Sequence, residues 1–232
     1  MYSLHFGNNY TGQDAALAQC QADAYKMQEY VRYKYKRPRS KVCKDYGRKQ
    51  MLYEIRKAIW LANKGARRSG RFSLWITYSG HGSWIRDSSG DESDGLDEVL
   101  VPTDYQTAGY ITDDLLRTYL TKLDRRVRCY LVIDCCHSGT SLDLPYKFSG
   151  RTKDKLGRRI RARVVCISAC QDREVAYENA SGGFLTAKFL EVLAGRKNLT
   201  LQALLKGLTS LEGQTPLLTF SRALPKHQNL FI

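Results

Sequence analysis

Apolar residues fall along this chain in two rhythms. Apolar-dominated runs come in Phe72-Ser73-Leu74-Trp75-Ile76-Thr77-Tyr78, Cys129-Tyr130-Leu131-Val132-Ile133 and Val164-Val165-Cys166-Ile167, the last two unbroken. Runs of this length without polar alternation read as strands buried on both faces. Shorter strand candidates are residues 3–7, Glu98 to Val101 closed by Pro102, and Pro216 to Phe220. Elsewhere apolar residues recur every three to four positions. Leu17, Cys20, Ala24, Met27 and Val31 predict a helix over about 13–33, and Leu52, Ile55, Ile59 and Ala62 another over about 49–64, with Gly65 as its stop. Thr112 is a good N-cap for a helix over about 113–123 that carries Asp113 and Asp114 in its first turn. Further helices fit about 183–194 and 200–210, and the stretches 34–48, 83–97 and 140–161 read as loops. Strands alternating with helices predict an α/β domain, with a mostly parallel central sheet and helices on both faces. In such a sheet chemistry collects beyond the carboxyl ends of the strands.

Composition narrows the class. The chain has 232 residues, 43% hydrophobic and 26% charged, which suits one folded domain and excludes wholesale disorder. No apolar run approaches the ~20 residues that span a bilayer. The first residues, Met1 to Phe6, lack the basic start and apolar core of a secretory signal. Net charge is +14, but it is segregated. Arg32 to Lys41 holds six basic residues, Arg151 to Arg163 holds seven, and Arg86 to Glu98 holds six acids. Basic runs of this kind read first as solvated loops, so nucleic acid is not expected as a partner. Seven cysteines without a C-x-x-C pair argue against structural zinc and for a reducing compartment, cytoplasm or nucleus.

Two strand ends carry candidate chemistry. His81 follows the run ending at Tyr78, and Cys136 follows the run ending at Ile133. A thiol needs a base to become a nucleophile, and a histidine supplies it and later protonates the leaving amine. Glycines around both let substrate approach the backbone, and the amides of Gly82 and Cys136 are candidate donors to an oxyanion. His5, His137 and His227 are rival bases in poorer contexts. Cys135, one residue earlier in the strand, points to the opposite face and reads as core.

Tyr78-Ser79-Gly80-His81-Gly82-Ser83 and Asp134-Cys135-Cys136-His137-Ser138-Gly139-Thr140, followed by Leu142-Asp143-Leu144-Pro145-Tyr146, resemble the histidine and cysteine motifs of metacaspases. The likeness runs from Gly7-Asn8-Asn9-Tyr10 to about Leu193. It implies a caspase-like fold of the type I order without a long prodomain or linker. A large-subunit-like region would span 1–146, a basic loop 147–163 and a small-subunit-like region 164–232. The resemblance further implies a His81–Cys136 dyad and cleavage after Arg or Lys. Cys20, Asp23, Ser79 and Asp134 would form an acidic primary pocket, which suits a long cationic side chain. Calcium (Ca2+) would be held by Asp97, Asp113, Asp114 and Asp143, as hard oxygens allow. Self-cleavage is expected in the basic loop, partners are protein or peptide substrates without a membrane, and a monomer is expected. The segment Ser168 to Tyr177 departs from the family's usual run. A legumain-like or separase-like peptidase and an inactive scaffold are the competing readings.

Overall fold

The apolar-dominated runs form the centre of an eight-stranded sheet. The computed structural model describes residues 1–86, 95–135, 142, 144–148, 150, 151, 159–169, 178, 179, 182–196, 198–209 and 215–231. The first half contains β1 (Tyr2–Gly7), α1 (Cys20–Lys34), β2 (Arg39–Lys44), α2 (Arg48–Ser69), β3 (Phe72–Ser79), β4 (Gly82–Arg86), β5 (Leu96–Leu100), α3 (Tyr105–Ala108), β6 (Ile111–Thr112) and α4 (Asp113–Leu120). After these come β7 (Val127–Asp134), β8 (Tyr146–Lys147), β9 (Gly150–Arg151), β10 (Arg163–Ser168), β11 (Glu178–Asn179), β12 (Gly182–Gly183), α5 (Phe184–Leu193), α6 (Leu201–Leu208) and β13 (Leu217–Phe220).

The main sheet runs β2-β1-β3-β7-β10-β13-β8-β9. Its first five strands are parallel, and the last three join antiparallel. Successive side chains face opposite cores, as the pleat requires. On β7, Cys129, Leu131 and Ile133, with Cys135 just past its end, pack under α2 and α4, whereas Tyr130 and Val132 face α1, α5 and α6. Trp75 and Tyr130, register partners on β3 and β7, stack at 4.8 Å in the second core. Helices therefore cover both faces, and the carboxyl ends of β1, β3, β7 and β10 share one edge. A smaller antiparallel sheet, β4-β5-β6, leaves that edge directly after β3.

Several elements differ from the sequence expectation. Helix α1 begins at Cys20, not near residue 13, because Tyr10 and Gly12 take positive φ and residues 11–19 form turns and bends. Helix α2 runs through Gly65 and ends where Gly70 takes φ 70°. Gly65 serves contact instead: any side chain there would run into the Phe72 ring. The basic stretch 34–48 contains β2, whose Cys43 is buried while its cations lie at the outer edge of the sheet, where charge is tolerated. Lys41 reaches back from this strand to Glu54 of α2 at 2.7 Å. The acidic stretch is flanked by β4 and β5, which pair as a hairpin. The expected basic loop 147–163 begins inside β8 and ends inside β10. Among the described residues no helix is long and apolar enough to cross a membrane.

Candidate active site

Strands β3 and β7 pair in parallel, and each β3 residue faces the residue 55 positions later, from Phe72–Val127 to Ser79–Asp134. His81 and Cys136 are also 55 residues apart, each two residues beyond that last pair. Cys136 itself lies outside the described residues, as do His137 and Asp143. Cys135 is buried in the α2–α4 core, which agrees with its reading as core. Of the rival histidines, His5 is fully buried and His227 is exposed on the C-terminal segment.

His81 is half buried, and it is held from three sides. Its Nε2 lies 2.7 Å from the carbonyl oxygen of Ala15. A carbonyl only accepts, so Nε2 carries the hydrogen and Nδ1 is left as the basic nitrogen. The Tyr10 ring lies against the imidazole, centroids 4.6 Å apart. Two buried hydroxyls fix the His81 backbone: Tyr10 Oη accepts from its N–H at 2.9 Å, and Tyr78 Oη donates to its carbonyl at 2.7 Å. Burial pushes both phenols up, so each keeps its proton. Gly80 leaves room for them, since a Cβ there would sit 2.7 Å from the Tyr78 hydroxyl. Val101 N–H donates to the His81 carbonyl at 3.1 Å, which makes His81–Val101 the hydrogen-bonded kind of antiparallel pair. The next pair, Gly82–Leu100, is therefore of the other kind, and the Gly82 N–H points away from β5.

The four predicted pocket residues split into a cluster and a neighbour. Ser79 and Asp134 are adjacent on β3 and β7, on the face that meets α1 and α5. Asp23 on α1 reaches them: its Oδ2 accepts from Ser79 Oγ at 3.3 Å and from the Gly183 N–H at 2.8 Å. Asp134 Oδ2 accepts from the Thr186 N–H at 2.8 Å. Both carboxylates thus lie at the start of α5, where amide donors and the positive end of the helix dipole favour negative charge. Lys26 adds a cation 3.4 Å from Asp23 Oδ1. Burial nevertheless dominates for Asp23 and raises its pKa above the ordinary value. Gly183 has to be small, because a side chain there would run into the Asp134 carboxylate. Cys20, buried, opens α1 one turn before Asp23.

Three of the four aspartates assigned to calcium are among the described residues, and they share one corner. Asp97 is buried on β5, and Asp113 and Asp114 open α4, capped by Thr112 Oγ1, which accepts from Leu115 N–H at 3.2 Å. Val99 pairs with Thr112, so all three aspartates stand at the same end of the β5–β6 ladder. Their hard oxygens suit calcium. Among the described residues, however, no three His, Cys, Asp or Glu side chains converge on a point that would hold an ion.

Sequence reasoning missed the parts that hold His81. The Ala15 carbonyl carries no residue signature, and Tyr10 was visible only as part of the Gly7-Asn8-Asn9-Tyr10 turn.

The family Metacaspase, peptidase C14 domain, matches residues 2–145, more than half of the chain. Metacaspase-1B of Aspergillus oryzae is 40% identical over 155 residues, which cover 63% of this chain and 36% of that protein. Metacaspase-1 of Cryptococcus neoformans is 40% identical over 155 residues, 63% of this chain and 33% of that protein. The chain therefore spans about a third of the length of these curated relatives. Among solved structures, a Geobacter sulfurreducens protein superposes with a TM-score of 0.72 at 23% identity, over 99% of this chain and 97% of that one. Caspase-1 of Spodoptera frugiperda gives 0.65 at 13% identity, over 94% and 85%. These likenesses show a caspase-like α/β fold, and the sequence match extends it to a narrower conclusion: the chain belongs to the metacaspase family of C14 peptidases.

Proposed function

We propose that this chain is a cysteine endopeptidase that cleaves polypeptides after Arg or Lys. The observation that carries the reading is the shared register of the two strand ends, with His81 and Cys136 each two residues past the Ser79–Asp134 pair. Cys136 gives its proton to Nδ1 of His81, and the sulfur attacks the scissile carbonyl carbon. The carbonyl electron pair moves onto oxygen, where the Gly82 and Cys136 amides are the expected donors. Collapse expels the amine, which takes the proton from His81. Water, deprotonated by His81, then attacks the thioester, and the C–S bond breaks to return the thiol.

Specificity rests on Asp23, Ser79 and Asp134, with Cys20 beside them. Two carboxylates near one another favour a guanidinium or ammonium over an acidic side chain. Calcium enters as an activator only through the chemistry of Asp97, Asp113, Asp114 and Asp143, and no step of the reaction passes through it. Self-cleavage belongs to the basic segment. Lys147 and Arg163 sit in strands, which disfavours them, whereas Arg159 and Arg161 are exposed. The β8–β9 pair covers the outer edge of β13, which supports a monomer.

The test is hydrolysis of fluorogenic peptides ending in Arg, Lys, Asn or Asp, with calcium and with chelator, beside Cys136→Ala. Cleavage after Arg or Lys that needs calcium and is lost in Cys136→Ala is the expected result. Cleavage only after Asn or Asp would overturn the pocket assignment. No cleavage under any condition would favour an inactive scaffold.

A further inference from the structure

Three supports of His81 come from one short segment, residues 10–15: the Tyr10 ring, the Tyr10 hydroxyl and the Ala15 carbonyl. The hydroxyl occupies an unusual place. In a regular hairpin the His81 N–H would donate straight to the Val101 carbonyl, because Val101 N–H already donates to the His81 carbonyl. Here Tyr10 Oη is inserted in that rung, accepting from His81 N–H at 2.9 Å and donating to Val101 O at 2.6 Å. Tyr10 holds this position with φ 54°, a left-handed conformation that a bulky residue rarely adopts. One carboxylate keeps it there. Asp45 Oδ1 accepts from the Asn9 and Tyr10 amides at 2.7 and 2.9 Å, and Asp45 Oδ2 accepts from Thr11 Oγ1 at 3.0 Å and Gln21 Nε2 at 2.8 Å. Asp45 is itself left-handed, φ 50°, directly after β2. Strain of this kind persists only where surrounding bonds over-determine it.

We propose that Tyr10 and Asp45 are positioning residues for the His81 imidazole. Tyr10 holds the rung open, and Asp45 fixes Tyr10 together with the turn that leads to the Ala15 carbonyl. The proposal rests on the peptidase reading of His81 and Cys136. Without the hydroxyl, the His81 N–H closes directly on Val101, and the backbone carries the imidazole away from the Ala15 carbonyl. The imidazolium then loses the acceptor that stabilises it, and the Cys136 thiolate loses part of its partner.

The experiment uses Tyr10→Phe and Asp45→Asn in the full chain, with two readouts. One is kcat and KM on the Arg peptide. The other is the pH dependence of Cys136 alkylation by iodoacetamide, read by peptide mass, which needs no turnover. Tyr10→Phe is expected to lower kcat about tenfold with KM within about twofold, and to raise the alkylation midpoint by about half a pH unit. Asp45→Asn keeps an acceptor oxygen for the two amides and loses the one serving Thr11 and Gln21. Its effects run the same way, at about threefold in kcat. If Tyr10→Phe folds poorly, the exposed Thr11→Val variant reads the same midpoint. Unchanged kcat and midpoint in these variants overturn the proposal. So does a fall in kcat that follows lost thermal stability while the midpoint stays fixed. Hydrolysis surviving in Cys136→Ala sinks the peptidase reading instead, and the alkylation curve still decides the role of Tyr10 and Asp45.

Discussion

Asp23, proposed above for the primary pocket, carries a cost in stability at neutral pH. Its pKa in the folded chain is raised, so the native state prefers the protonated form. Stability from this group is then greatest below the ordinary carboxylate range and falls as pH rises through the folded pKa. At neutral pH the ionised side chain is a cost, offset in part by Gly183 N–H, Ser79 and Lys26. Asp23→Asn keeps an oxygen for Gly183 and Ser79 and removes the buried charge. It should raise Tm at pH 7 by a few degrees, each kcal/mol being worth roughly 2–4 °C in a chain of this size. The gain should vanish near pH 3, where wild-type Asp23 is also neutral, and hydrolysis after Arg or Lys should fall at least about hundredfold. Thermal melts at the two pH values and peptide assays check both halves. Asp23, Ser79 and Asp134 are assigned to a pocket by the resemblance to metacaspases, and composition and spacing alone do not single them out. The partners of those carboxylates were not legible: Gly183 and Thr186 act through backbone amides, which every residue but proline has.

Elements were legible where burial alone decides them. Strands β3, β7 and β10 carry apolar side chains on both faces, so their runs announce them. Strand β2 stayed hidden because an edge strand buries little, and the start of α1 stayed hidden because apolar spacing continues into a turn that serves His81. His5 on β1 stands where an apolar residue would be expected. The structure pairs it with its cross-strand neighbour Thr77, Nδ1 to Oγ1 at 2.9 Å, and Nε2 finds no partner among the described residues. Burial lowers its pKa from 6.5 to about 3. A lowered histidine supports the fold fully above pH 6.5, and that support drains away as pH falls toward 3. The loss runs at about 1.4 kcal/mol per pH unit while the unfolded chain is protonated and the folded one is not. Replacing the pair together, with His5→Leu and Thr77→Val, should flatten the acid side of the stability curve by about that slope. Urea denaturation between pH 4 and 7 measures it. An equally steep curve in the double variant would mean that other groups drive acid unfolding.

The whole molecule is threaded so that two strands from its last third lie between strands from earlier in the chain. Strands β7, β8 and β9 precede residue 152, whereas β10 and β13 follow residue 158 and lie between β7 and β8 in the sheet. A single cut between residues 152 and 162, by the chain itself or by trypsin, therefore leaves β10 and β13 clasped between strands of the other fragment. Two bands on a denaturing gel with unchanged elution from a sizing column are the expected outcome, and free fragments in native buffer would contradict it. The same threading has a consequence for biosynthesis. Strand β8 leaves the ribosome about 70 residues ahead of β13, the partner it lies against. At roughly 5–20 residues per second that delay lasts several seconds. Until β10 arrives, the nascent chain displays the bare flank of β7, with its row of unanswered amides and carbonyls. Translation speed over residues 152–220 thus sets how long a chaperone, or another nascent copy, has to find that flank first.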